Sequence, residues 1–222
     1  MKKLFLCLTL LGLLAVRSTA ANITWQTPAT ISGPGDASVL GAYFGSWAPY
    51  DFSAVGGLTV NGVTFQASPD LPDATDNWTG GGQYYNSPNT SDANYNTLLQ
   101  CGGDIGGVPL TISWDGMTVG DTYLLQYWVN DGRSYGAGRT ETITGGDSTS
   151  AALTFGSDTT GPGQYIMGTF VADSASETIT VTGNQDSLLN LMQVRDISAV
   201  PEPTSLALLA IGGGLVFIRS RK

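Results

Sequence analysis

LTVNGVTFQ, residues 58–66, sets Asn61-Gly62 between two short β-branched stretches. Asn-Gly in that setting is the strongest short-range signal for a β-hairpin closed by a type I′ turn, because both central residues must take positive φ. Downstream, Val108, Leu110, Ile112 and Trp114 alternate as one strand would, with these side chains expected to point inward. After a turn at 115–120, the apolar run 123–129 reads as a strand buried on both faces. Further strands are expected at 140–144, 151–155, 164–172, 178–182 and 188–198, and a first one around Ile23-Thr24-Trp25. That makes eight to ten strands, the number a jelly roll needs. The first strand is expected to lie close to the last, 191–197, since chain ends tend to meet at the surface. Residues 68–97, rich in Asp, Asn, Gly and Tyr, read as mostly long loop. The fold class is therefore all-β, a jelly-roll β-sandwich.

Both ends of the chain have another character. Lys2 and Lys3, an apolar stretch at 4–16 and the small residues Ser18-Thr19-Ala20-Ala21 make an N-terminal signal peptide over 1–21, with cleavage expected after Ala20 or Ala21. At the other end, 200–222 reads VPEPTSLALLAIGGGLVFIRSRK. Pro201, Glu202 and Pro203 lead into the apolar run 206–218, followed by Arg219, Arg221 and Lys222. As a helix that run is about 20 Å long, short of the ~30 Å hydrocarbon core. Flanking Thr204 and Ser205 and the snorkelling arginine stems extend it to a marginal transmembrane helix over 205–218. Its basic end is expected to stay cytoplasmic, which puts everything upstream outside. Gly212, Gly213 and Gly214 each weaken the helix by roughly 1 kcal/mol relative to alanine, which suits a brief membrane anchor ahead of processing.

The intervening domain, 22–199, keeps only Arg133, Arg139 and Arg195 of the nine basic residues, against 17 of the 18 acids, a net charge of about −14. Fifteen of those acids are aspartates; Glu141 and Glu177 are the exceptions. Nucleic acid is a poor partner for such a field. The chain has no histidine, which excludes a Ser-His-Asp triad, a Cys-His pair and any His-bearing metal site. Only Cys101 lies in the domain, so no internal disulfide forms, and a buried apolar role is expected for it.

Three clusters could carry chemistry. Asp70, Asp73 and Asp76 recur every third residue and are candidate Ca²⁺ ligands, or else a solvated loop of Asx-turns. Trp47, Tyr50, Trp78, Tyr84 and Tyr85, with Asp and Asn neighbours, are candidates for a glycan-stacking platform, or else they fold back into the core. Asp131, Arg133 and Arg139 suggest an arginine–carboxylate clamp holding a loop, with an anionic-ligand site as the alternative. A glycosidase would need two carboxylates flanking a cleft, and no pair stands out, so no catalytic residue is assigned.

The order of parts in 200–222 resembles the PEP-CTERM sorting tail of bacterial surface proteins. This resemblance implies a sorting and processing motif at Val200, Pro201, Glu202 and Pro203, a basic end at Arg219, Arg221 and Lys222, and an exosortase-type processing enzyme as partner. Further blocks, ITWQTPATISGPGD at 23–36, TVNGVTFQA at 59–67, YLLQYWVNDGR at 123–133 and GQYIMGTFVADSASETITVTGNQDSLLNLMQVRDI at 163–197, look like a group of PEP-CTERM proteins of planctomycete- and verrucomicrobia-type bacteria. Their sandwich is similar to the galactose-binding-like jelly roll, and the resemblance implies a fold and an address without an activity. The expected function is that of an exported, non-enzymatic cell-surface or extracellular-matrix protein. A carbohydrate-binding module, with or without structural calcium, is the alternative, and a polysaccharide hydrolase stands behind both. Exopolysaccharide and the membrane, through the C-terminal helix, are the other expected partners.

Overall fold

A computed structural model describes residues 20–48, 57–67, 74–76, 80–82 and 85–200 of the chain. The first part carries β1 (Thr24–Trp25), β2 (Ala29–Thr30), β3 (Ala42–Ala48), β4 (Leu58–Val60), β5 (Val63–Ala67), β6 (Ala74–Asp76) and β7 (Gly80–Gly82). A helix, α1 (Ala93–Gln100), precedes β8 (Gly102–Gly106), β9 (Leu110–Asp115) and β10 (Thr122–Val129). The remainder is β11 (Thr140–Gly145), β12 (Ser148–Thr149), β13 (Leu153–Thr154), β14 (Gln164–Val171), β15 (Ser176–Gly183), β16 (Asp186–Leu189) and β17 (Leu191–Asp196).

The strands form a sandwich. One sheet runs β1-β14-β10-β17-β3-β5-β4, with β2 also on β14, and the facing sheet runs β12-β11-β15-β9-β6, with β13 on β11. Between them pack Tyr123, Leu125, Tyr127, Ile166, Phe170 and Val194 from the first, and Leu110, Ile112, Trp114, Ile143, Ile179 and Val181 from the second. A third small sheet, β16-β8-β7, closes one part of the structure.

The apolar run of β10 is explained by its position. Tyr123, Leu125, Tyr127 and Val129 belong to the inter-sheet core, while Trp128 on the opposite face joins a second core with Phe65, Val60, Val63, Tyr95, Leu98 and Leu99. A hairpin and α1 thus cover the outer face of the large sheet. The hairpin is the one read at 58–66: Val60 pairs with Val63, and Asn61 and Gly62 have φ of 48° and 78°. Asn61 also donates its side-chain amide to the Ala37 carbonyl at 2.8 Å, tying the turn to a neighbouring loop. Gln126 and Gln193, directly opposite on β10 and β17, bond to each other at 2.7 Å and hold the 36–38 segment by its backbone. Arg195 donates from Nε to the Leu40 carbonyl at 2.6 Å and from a terminal nitrogen to Gly41 at 2.8 Å, so one of the three domain arginines serves the backbone.

Three expectations need correction, and residues 68–97 carry more than loop, because β6, β7 and the start of α1 fall within them. Asp92 caps α1 by accepting from the Tyr95 amide at 2.8 Å, and Tyr95, Leu98 and Leu99 bury one face, so packing overrides the poor helix propensity of the two asparagines. The first and last strands are not neighbours: β1 pairs with β14, and β14 and β10 stand between it and β17. Val108 is half exposed and precedes β9, whereas Leu110, Ile112 and Trp114 do point inward. The strands are also more numerous than eight to ten, because several are two- or three-residue pieces that carry no periodicity. Cys101 is free and buried, its thiol donates to the Thr97 carbonyl at 3.3 Å, and burial pushes its pKa up to about 11. No helix among the described residues is long and apolar enough to cross a membrane, and the run 205–218 lies outside them.

Candidate functional site

The loop after β10 builds a strongly charged pocket, lined by Asp104, Arg133, Arg139 and Asp186. Asp131 lies two residues past the end of the strand and is completely buried. Arg133, two residues on, donates from Nε to Asp131 Oδ1 at 2.7 Å and from a terminal nitrogen to Oδ2 at 2.9 Å, a bidentate fork. This bonding raises the Arg133 pKa further above its ordinary value. Arg139, just before β11, places a terminal nitrogen 3.8 Å from Asp131 and 2.8 Å from Asp186 Oδ2 on β16. The three clamp residues read from the sequence therefore converge, with Asp186 as a fourth member.

Tyr85 and Asp104 form the adjoining wall. The Tyr85 ring lies on Gly102 of β8, where a Cβ would come within 2.5 Å of it, so only glycine admits the ring there. Its hydroxyl donates to Asp104 Oδ1 at 3.2 Å, and the Arg133 guanidinium carbon sits 4.6 Å from its centroid. Burial, with the Asp104 charge second, drives the Tyr85 pKa up, so the phenol keeps its proton. The ring of Tyr135 approaches the same guanidinium at 5.8 Å and is 70% exposed. Phe155 and Leu188 supply the apolar remainder of a pocket of about 350 Å³. A second, polar pocket of about 510 Å³ begins one residue along, at Asn86 and Gly132, and is lined further by Asn130, Ser157 and Asp158.

Asp104 and Asp186 occupy diagonal positions on the β8–β16 ladder, since Asp104 pairs with Leu188 and Asp186 with Gly106. As diagonal neighbours the two carboxylates share one wall of the pocket. Asp186 is bound by Arg139 and Asp104 by the Tyr85 hydroxyl, so both carboxylates already have partners within the pocket. With three acids and two arginines the pocket retains no excess positive charge, which disfavours an anionic ligand and suits a neutral polyhydroxyl one. One donor is open: Arg139 Nε is buried with no hydrogen-bond partner among the described residues.

The other candidates fare differently. Trp47 is 5% exposed, its ring folded over Gly45 of its own strand, so it belongs to the core and not to a platform. Tyr85 is only 4% exposed, and the Arg133 guanidinium lies over its ring, so it is no open stacking face. Tyr50, Trp78 and Tyr84 lie outside the described residues, as do Asp70 and Asp73. Asp76 ends β6, opposite Ile112. Among the described residues no three His, Cys, Asp or Glu side chains gather as a metal site would require. Val200 is described, its amide donating to the Ile197 carbonyl at 3.0 Å, whereas Pro201, Glu202, Pro203, Arg219, Arg221 and Lys222 lie outside.

Asp104, Asp186 and Tyr135 were not singled out from the sequence. Asp104 and Asp186 meet through a ladder more than 80 positions apart, which no local pattern announces; GGDIGG at 102–107, an acid among glycines, is the single local hint.

Comparison with solved structures finds a likeness to a calcium-binding mutant of Bacteroides uniformis beta-glucuronidase 2, at 15% identity and a TM-score of 0.41. It covers 64% of this chain, which spans 18% of the length of that one. A likeness that distant carries no argument about activity. Curated proteins give no match. Residues 199–222 match the PEP-CTERM protein-sorting motif, so the chain carries at its C-terminus the signal of an exported protein sorted by an exosortase-type system.

Proposed function

We propose that this chain is a non-enzymatic component of the cell surface or extracellular matrix, held briefly in the membrane by 205–218 and then released by processing near Val200–Pro203. The observation that carries this reading is the sorting motif at 199–222 behind a β-sandwich whose charged pocket has its ions paired internally. A glycosidase needs two carboxyls free to act on the substrate, and here Asp186 is held by Arg139 and Asp104 by the Tyr85 hydroxyl. Fractionation followed by intact-mass measurement tests the address: the protein is expected outside the cell without Arg219–Lys222, and full-length chain there sinks the reading.

The pocket favours a second element, binding of a neutral glycan. Tyr135 offers an exposed ring, the two arginines offer donors, and Asp104 and Asp186 offer acceptors for hydroxyls. A glycan array on the exported protein, run with calcium and with chelator, checks both this and the Asp70, Asp73 and Asp76 calcium reading. Binding lost on Tyr135→Ala supports the pocket. Equal binding with and without chelator, at equal melting temperature, removes calcium.

A further inference from the structure

The N-terminal segment is seated with unusual care for a chain end. Ile23 is 1% exposed, Asn22 accepts from the Asp147 amide at 2.6 Å, and the Ser148 hydroxyl donates to the Ile23 carbonyl at 2.5 Å. Ala21 is 4% exposed, and its backbone nitrogen donates to Glu177 Oε2 at 2.9 Å. Glu177 is 1% exposed on β15, and its other oxygen accepts from the Thr178 amide at 3.0 Å. Burial drives the Glu177 pKa up, and nearby Asp173 adds to the effect. The other charged residues of the neighbouring segments, Asp115 on β9 opposite Ser176 and Asp147 beside Asn22, are also acids. A buried carboxylate thus faces a backbone nitrogen in an acidic setting, within a domain that has no lysine and only three arginines, all engaged elsewhere.

We propose that signal-peptide removal after Ala20 turns that nitrogen into the α-ammonium of the mature chain, which pairs with Glu177 and fastens the first strand to the sandwich. The inference rests on the export reading above. Hydrolysis of the Ala20–Ala21 peptide bond gives the carboxylate of Ala20 on the leaving peptide and the amine of Ala21 on the domain, with water as the co-reactant. Ser18 and Ala20 then occupy the two small-residue positions before the cut. Cleavage one residue later would remove the very atom that Glu177 holds. The cut is proposed to come before folding, so the burial of Ala21 in the finished domain does not impede it. Processing then supplies the cation that the sequence of this domain omits.

The lysine-free domain makes the claim measurable, since Lys2, Lys3 and Lys222 are the chain's only lysines. Protein recovered from the cell exterior is acylated with an amine-reactive ester across a pH series, folded and in urea, and its N-terminal peptide is identified by mass spectrometry. The expected result is a chain starting at Ala21 whose amine reacts at least about tenfold more slowly at pH 8 when folded. Its apparent pKa is expected about a unit or more above the ordinary 7.7–8.0 of an α-amine, because a paired carboxylate raises it while burial alone would lower it. Glu177→Gln is expected to restore ordinary reactivity; should that variant not fold, the folded-against-urea comparison of the natural protein still decides. A chain starting at Asn22 or elsewhere, or an Ala21 amine with an unshifted or lowered pKa, overturns the pairing while leaving export intact. A chain retaining Met1 overturns the cleavage and the pairing together.

Discussion

Glu141 and Glu177 are the two glutamates of the domain, and both are buried, yet their surroundings differ in kind. Glu141, on β11, accepts from the Leu188 amide at 2.9 Å and lies beside Tyr127, whose hydroxyl bonds to the Leu188 carbonyl. Desolvation raises its pKa well above the ordinary carboxyl value, with no cation among the causes, which favours the protonated form for a group that bridges β11 and β16. Glu177 faces the backbone nitrogen at which the mature chain is proposed to begin. Burial alone therefore does not fix a role for a glutamate here. What fixes it is whether a cation can be delivered, and in this lysine-free domain the chain terminus is the one source beyond the arginines.

The largest effect expected is from Glu141→Ala, which opens a cavity and leaves the Leu188 amide unpaired. It should lower stability by about 3 kcal/mol, read as a melting temperature roughly 6–12 °C lower. Glu141→Gln keeps the shape and stays neutral, so a loss under about 1 kcal/mol is expected; a loss as large as that of the alanine variant would show that Glu141 is ionised. Next comes Arg133→Ala, which leaves buried Asp131 with Arg139 at 3.8 Å and the backbone amide of residue 133 at 3.2 Å. A loss of about 2 kcal/mol is expected by denaturant titration, since Arg133 is itself one-third exposed and its pair is partly screened.

The pH dependence separates the two glutamates by sign. Because the folded pKa of Glu141 is raised, its contribution is fully present below about pH 4.5 and is lost as pH rises toward the folded value. Glu141→Gln should flatten that decline, by up to about 1.4 kcal/mol per pH unit. Glu177 beside an amide behaves the same way, whereas Glu177 paired with the Ala21 ammonium contributes above about pH 4.5 and loses its contribution only as pH rises through the raised amine pKa. Thermal melts from pH 4 to 9, on protein with and without its leader, read that difference. The smallest stability effect, within about 0.5 kcal/mol, is expected from Tyr135→Ala, because the ring is mostly exposed; its effect should fall on glycan binding.

Much of this was legible where chemistry is local. Asn61-Gly62 announced its hairpin because turn φ values select those residues, and Asp131 with Arg133 announced a fork because two positions suffice to build one. The run in β10 was readable as buried on both faces since no polar alternation interrupts it. The contents of the pocket were not, because Asp104 and Asp186 meet through strand pairing at long range. Nor was α1, whose asparagine-rich sequence is made helical by Asp92 and by burial of Tyr95, Leu98 and Leu99. Trp47 was misplaced on a platform because nothing in its neighbours tells that Gly45 leaves room for its ring to fold inward.

The intact mass of the protein recovered outside the cell tests the central claim of an exported, processed surface protein most directly. The account predicts a single chain that begins at Ala21 and ends before the apolar run at 206–218. A mass corresponding to Met1 through Lys222 would contradict it.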